Sequence, residues 1–420
     1  MPMKHFYVFL LLVFVLYSCK KNDTSIIIES VPTANVNVNT SPMVPTAIAD
    51  PTVFSDGNTN ESLEGQILVK QKANTAFLNR SWQGIPSITA DKSNNLFTAW
   101  YSGTNGEGPG NYITVSVSKD LGKTWLDNEA VITPTAKSLV RFFDACLWTD
   151  PYGNVYLFWA KVKSTLVWDG VGGVWYSRMA LVNDTLRFDT PRRLSDGIMM
   201  NKPICINNNA DIIFPISVWR SSPTPAGLDG AFIYKGSFAI KNSFLKISYL
   251  PAAQPQTGLN IEHMVTDLGN GHLFALTRTG AGNNAGNIQY SNSYNNGSSW
   301  DTISGFKTIF PNAASRVFIG KLKSGNILLI INNSFYRTNL TVFLSVNNGV
   351  SWKYKSVLVE NDIVAAPSYP DAVQTTDNVI HMVNDADRYG AGLINHTSFT
   401  EQDIINGDIG VFYRSTVSKK

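Results

Sequence analysis

Apolar and polar residues alternate along most of this chain in runs of four to nine, with turn residues between them and no helical period. Such a pattern predicts an all-β protein. Three of the alternating runs, 112–117, 287–290 and 340–344, lead into related turns: Ser118 to Trp125 reads S-x-D-x-G-x-T-W, and Ser293 to Trp300 and Ser345 to Trp352 read S-x-N-x-G-x-S-W. An Asp or Asn oxygen accepts backbone N–H groups within such a turn, and Gly supplies the positive-φ step. A second series is more regular. Short strands begin at Leu96, Val155, Ile212, Leu273, Ile327 and Val379, at spacings of 59, 57, 61, 54 and 52. Six non-helical units of several strands each predict a six-bladed β-propeller. The segment Gln66–Lys70 is a spare strand, expected to close the ring by completing the last blade.

The polar residues keep step with these units. Gly84, Asp144, Asn201, Glu262, Arg316 and Ser368 lie eleven or twelve residues before the six landmarks, where each innermost strand begins. Asp144, Asn201, Lys202, Glu262, His263, Arg316 and Tyr369 are therefore expected to converge at one end of the axis. The landmark strands return to that end and add Glu107, Arg278 and the segment Asp385–Arg388. The S-x-D-x-G-x-x-W turns fall on the opposite face, as structural braces.

The N-terminus changes the picture of where the chain works. Lys4 and His5 precede an apolar run, Phe6–Leu16, and then Leu16-Tyr17-Ser18-Cys19. That is a secretory signal, too short to span a bilayer, and its end resembles a bacterial lipobox. The expected organisation is a signal over 1–18, a lipidated Cys19 with a flexible tether over 19–64, and the propeller over 65–420, anchored by lipid in the outer membrane. Cys146 and Cys205 read as buried free thiols. A net charge of +3 is too mild to indicate nucleic acid. The five histidines show no metal-ligand spacing, so neither metal nor cofactor is expected. The partners are an acidic oligosaccharide or polysaccharide and, through the lipid, a membrane; the protein is expected to be a monomer.

On these repeats the chain resembles the sialidase (neuraminidase) superfamily of bacterial propellers with Asp-box turns, from about Gln83 to Phe412. The resemblance implies a Tyr nucleophile, Tyr369, partnered by Glu262, with Glu107 as acid/base. It also implies arginines that hold a substrate carboxylate: Arg278 matches the second of three, and Arg316 is the candidate third. The family's F-R-I-P motif stands here as Gln83-Gly84-Ile85-Pro86, so the first arginine is absent and Arg141 is its candidate replacement. Asp144, Asn201, Lys202, His263, Asp371 and Asp387 complete the expected substrate-binding set.

The chemistry implied is an exo-acting, sialidase-like glycoside hydrolase for an acidic sugar. A neutral phenol, deprotonated as it attacks, avoids the repulsion a carboxylate nucleophile would meet from a sugar carboxylate. Two alternatives remain open. A uronic-acid lyase would use Lys202 or an arginine on the carboxylate, with His263 or Tyr369 as base. A non-catalytic glycan-binding propeller would not need paired acids and bases.

Overall fold

The computed structural model describes residues 65–70, 74–103, 106–135, 140–163, 172–218, 230–238, 240, 243–251, 262–278, 288–305, 310–311, 313–359, 364–407 and 412–420. The signal, Cys19 and the tether lie outside the described residues. Among the described residues no helix is long and apolar enough to cross a membrane.

Six antiparallel sheets follow one another along the chain. The first holds β1 (Gly65–Val69), β2 (Trp82–Ala90), β3 (Leu96–Gly103), β4 (Tyr112–Ser118) and β5 (Leu126–Pro134), with the short α1 (Thr75–Leu78) between β1 and β2. The second holds β6 (Val140–Thr149), β7 (Val155–Lys163), β8 (Val174–Val182), β9 (Thr185–Phe188) and β10 (Arg192–Ser195). The third holds β11 (Ile204–Ile206), β12 (Asp211–Val218), β13 (Gly230–Ser237) and β14 (Leu245–Tyr249), and the fourth β15 (Met264–Gly269), β16 (His272–Arg278), β17 (Ile288–Ser293) and β18 (Ser304–Gly305). The fifth holds β19 (Phe318–Lys321), β20 (Ile327–Asn332), β21 (Leu340–Ser345) and β22 (Tyr354–Val359). The sixth holds β23 (Ser368–Gln374), β24 (Ile380–Ala386), β25 (Leu393–Phe399) and β26 (Tyr413–Lys419), with α2 (Glu401–Asn406) before β26. This is the expected six-bladed propeller.

Burial follows radial position. Strands β2, β3 and β4 are buried at every residue, because neighbouring blades cover both their faces. Outer strands such as β14 and β22 alternate or lie exposed. The spare strand departs from expectation. β1 pairs with β5 as a fifth strand of the first blade, from Gly65 opposite Pro134 to Val69 opposite Ala130. The last blade has no vacancy for it, since β26 already pairs with β25.

Two of the three repeated turns brace blade against blade. In the first, Asp120 Oδ1 accepts from Thr124 N at 2.9 Å and from Ser118 Oγ at 2.8 Å, and Gly122 takes φ +83°. Although desolvation opposes it, hydrogen bonds from Thr124 and Ser118 bring the Asp120 carboxyl down to about 2. The Trp125 ring then meets His396 of the sixth blade edge-on at 5.5 Å. Asn295 and Asn347 repeat the turn, and Trp300 donates to Ser248 of the third blade at 3.2 Å.

The ring closes at its centre. Arg316, 1% exposed, donates through Nη1 to the Met200 carbonyl at 3.0 Å. Its Nη2 reaches the carbonyls of Pro86 (2.6 Å), Tyr369 (3.1 Å) and Pro370 (3.4 Å), so one guanidinium ties together blades five, three, one and six. Below it Lys202 is ion-paired with Asp371, which also accepts from Ser87 Oγ at 2.5 Å and Ile88 N at 2.9 Å. Ser87 Oγ in turn accepts from Leu147 N of the second blade at 2.9 Å. Asn201 donates to the carbonyls of Glu262 and His263 in the fourth. Every blade contributes to this plug.

Two outcomes follow. Asp371→Ala leaves Lys202 buried without its counter-charge, so chemical denaturation should show a loss of roughly 3–5 kcal/mol; an unchanged midpoint would place the closure elsewhere. The second concerns pH. Burial holds His263 and His381 down at about 4 and His396 at about 3, whereas the unfolded chain titrates near 6.5. The unfolded state therefore binds three more protons at pH 5, and stability falls as pH drops from about 6.5 to 4. Asp144, raised to about 7 by burial, works against one of the three. A flat melting temperature between pH 7 and 4.5 would contradict this balance.

Candidate active site

In four of the six blades the inner strand begins with a strained backbone step. Ile85, Asp144, Glu262 and Tyr369 take φ values of 60°, 50°, 63° and 55°, a left-handed conformation costly for side chains of this size. In β2, β6 and β23 the residue sits where the ladder slips register, at Gly84/Ser87, Phe143/Cys146 and Ser368/Asp371. Such bulges re-aim a side chain. Asp144, Glu262 and Tyr369 thus point inward from alternate blades, the second, fourth and sixth. Serine hydroxyls of the preceding blades accept two of these amides: Ser217 from Glu262 N at 3.3 Å and Ser315 from Tyr369 N at 3.2 Å.

Tyr369 is the hub. Its phenol oxygen accepts from Arg278 Nη1 at 2.7 Å, and burial raises its pKa against the pull of the surrounding arginines, so the phenol is neutral. Arg278 Nε lies 3.0 Å from Glu262 Oε2, an ion pair whose N–H is not aligned as a hydrogen bond. The guanidiniums of Arg388 and Arg337 lie 4.4 and 5.1 Å from the Tyr369 ring centroid. Arg278 and Arg337 both donate to the carbonyl of Ala314, itself left-handed at φ 49°. Arg278 is paired with Glu262 and Arg388 with Asp385 at 2.8 Å. Arg337 has no carboxylate partner among the described residues.

Glu107 stands at the edge of this bowl, 37% exposed, 3.7 Å from Arg388 Nη1 and 4.0 Å from Arg141 Nη2. Asp144 is buried beneath it. Desolvation, with Glu107 and Glu262 adding repulsion against Arg141, pushes its carboxyl up to about 7. Tyr101, fully buried beside the same charges, has a hydroxyl with no partner among the described residues.

The expected set divides in two. Tyr369, Glu262, Arg278, Glu107, Asp144 and Arg141 come together in the bowl. Asn201, Lys202, Asp371 and Arg316 form the plug beneath it, held to protein groups of the surrounding blades. His263 is also structural: its nitrogens meet Ser217 Oγ at 3.2 Å and the Phe232 carbonyl at 2.8 Å. Asp387 caps its own turn, accepting from Gly390 and Ala391 N–H. Besides Arg278, and Arg316 beneath at 5.7 Å from the ring, the cations near the phenol are Arg337 and Arg388. Arg337 carried no signal, since it lies in a loop out of phase with the inner strands; Arg388 stood in a segment already singled out.

Arg388 also explains Gly84. A Cβ at residue 84 would lie 2.9 Å from Arg388 Nε and 3.0 Å from its Cδ. The sixth blade therefore lays its arginine across the place where the first blade has no side chain. Among the described residues no group of three His, Cys, Asp or Glu could hold a metal ion.

Together the fold and the bowl define a sialidase-like BNR propeller. The chain belongs to the BNR repeat-like domain family, whose profile matches residues 94–382. Among solved structures it is similar to the Hadza microbial sialidase Hz136, with TM-score 0.55 and 14% identity over 77% of this chain and 66% of that one, just under two thirds of its length. It is similar to the intramolecular trans-sialidase from Ruminococcus gnavus, with TM-score 0.55 and 12% identity over 77% and 95%. It is also similar to Penicillium chrysogenum alpha-L-arabinanase, with TM-score 0.53 and 13% identity over 77% and 94%. At these identities the likeness is one of fold. No curated protein matched the sequence.

The Gly84–Arg388 contact predicts a coupling. Gly84→Ala should cost about 1–3 kcal/mol in chemical denaturation, and most of that cost should vanish in an Arg388→Ala background. Additive losses would mean that the two positions do not compete for space.

Proposed function

We propose that the chain is a retaining glycoside hydrolase for a glycan ending in an acidic sugar, with Tyr369 as nucleophile. One observation carries this reading. A neutral, buried phenol is held at 2.7 Å by an arginine whose other side faces a carboxylate, and a further arginine beside it has no carboxylate of its own among the described residues. Arg337, with Arg278 and Arg388, suits a sugar carboxylate held through charge-assisted hydrogen bonds. Tyr369 Oη attacks the anomeric carbon while its proton passes to Glu262, and Arg278 stabilises the phenolate character that develops. Glu107 protonates the leaving oxygen as the glycosidic bond breaks. It then takes a proton from water, which attacks the same carbon; the glycosyl–Tyr369 bond breaks, and Glu262 returns its proton to the phenolate.

A second reading rests on Asp144. A carboxyl titrating near 7, set on the same kind of left-handed step as Glu262, suits two-carboxylate hydrolysis of an uncharged sugar. Elimination finds less support, because Lys202 and His263, two of its expected groups, are bound up between blades.

The test is a screen of sialosides, uronides and neutral arabinosides, followed by variants on the best substrate. Tyr369→Phe and Glu262→Gln should each lower kcat at least about a hundredfold without loss of folding, and quenched turnover should leave a glycosyl group on the Tyr369 peptide. Full turnover by Tyr369→Phe alongside an inactive Asp144→Asn would replace the first reading with the second. Turnover of none of these substrates would sink both.

A further inference from the structure

The rim of the bowl carries an unusual set of side chains. Tyr389 is 75% exposed, Tyr336 66% and Phe335 55%. Single exposed aromatics are ordinary; three on two adjacent turns beside one site are not. Tyr336 immediately precedes Arg337, and Tyr389 immediately follows Arg388, two of the cations that lie against the Tyr369 ring. Among the described residues none of the three rings packs on another ring, and neither phenol donates a hydrogen bond.

These side chains stand on turns that are held. Asp387 accepts from the N–H groups of Gly390 (3.0 Å) and Ala391 (2.5 Å), and its carbonyl accepts from Gly392 N at 2.7 Å. Lys420 Nζ donates to the carbonyl of Tyr389 at 2.7 Å. In the fifth blade Ser334 Oγ accepts from Tyr336 N at 3.1 Å, and Thr338 N donates to the Tyr336 carbonyl at 2.7 Å. The rings are thus offered to solvent by ordered backbone, which reduces the entropy lost when a ligand lies on them.

The place of Tyr389 relative to the acid/base group sets the direction. The Tyr389 ring edge faces Gly106, where a Cβ would lie 3.5 Å from Cε1, and the next residue is Glu107. A group that protonates the leaving oxygen sits beside the leaving group. The surface next to Glu107 therefore belongs to the part of the glycan beyond the scissile bond. Sugar rings there present C–H faces, for which a flat aromatic ring is the matching surface.

We propose that Tyr389, Phe335 and Tyr336 form a platform on which the sugar rings on the leaving side of the glycan stack, so that the protein recognises an extended chain and not only its terminal residue. The proposal rests on the glycan reading above, and its test separates the two. Native electrophoresis would be run through gels with and without soluble mucin or polygalacturonate, using the whole chain, Tyr389→Ala and the Phe335→Ala/Tyr336→Ala pair. The unaltered protein should be retarded by one of these polymers, and each variant should bind about tenfold more weakly. Melting temperatures should not change, since these rings are exposed. On any turned-over substrate the variants should raise KM for the polymer and leave kcat on an aryl glycoside unchanged. Equal retardation of all three proteins, or none of the unaltered protein by either polymer, would overturn the platform. Retardation that depends on these rings, without turnover of any glycan, would overturn the hydrolase reading and leave the platform standing.

Discussion

A single buried guanidinium holds the circle shut. Arg316 is fixed by four backbone carbonyls, and its charge is balanced by peptide dipoles and not by a carboxylate. Burying a cation is costly unless its donors find acceptors, and here both terminal nitrogens do, on carbonyls from three other blades, while Nε has none among the described residues. The first, third and sixth blades must therefore be in position around the fifth before the charge is met. The Lys202–Asp371 pair repeats the logic one layer down, with Ser87 passing the connection to the second blade. A propeller closed by a strand shared between first and last blades would not need this. Here the last blade keeps all its own strands, and closure falls to polar contacts on the axis.

That constraint shapes the site above it. Because the plug fixes where the inner strands begin, the left-handed steps at Asp144, Glu262 and Tyr369 are forced to present their side chains upward into a narrow bowl. Strain of roughly 1–3 kcal/mol at each step persists because the packed blades around it leave no relaxed alternative. The charges then sort by pairing. Glu262 neutralises Arg278, Asp385 neutralises Arg388, and Arg337 stands without a carboxylate of its own among the described residues. The phenol sits among these cations, protonated and desolvated.

How much of this was legible in the sequence depended on whether a residue's role is set by phase or by direction. The blade count, the turn residues and the inward positions of Asp144, Glu262 and Tyr369 follow from spacing, because each blade repeats the same strand order. Arg316 shares that phase, yet its side chain runs along the axis into the plug; it precedes β19 without the left-handed step that lifts the others. Asn201 and Lys202, just before β11, go the same way. Arg337 lies outside the inner strands, in the β20–β21 loop, and nothing in a local pattern tells which loop leans over a distant tyrosine. Gly84 shows the reverse. A missing side chain read as a lost contact is, in the folded chain, the space through which Arg388 reaches the bowl.

The edge strand β1 has a mechanical consequence. The chain enters the propeller at Gly65, opposite Pro134, at the outer margin of the first blade and on the same face as the bowl. Its attachment is five residue pairs with β5, with Gly65 against the Phe142 ring of the second blade and Leu68 against Phe77, Tyr112 and Val131. None of the polar contacts that close the ring on the axis includes β1, so the closure itself does not depend on that strand. β1 is thus joined to the ring only at its outer margin, where a strand shared between first and last blades would have tied the preceding residues directly into the circle.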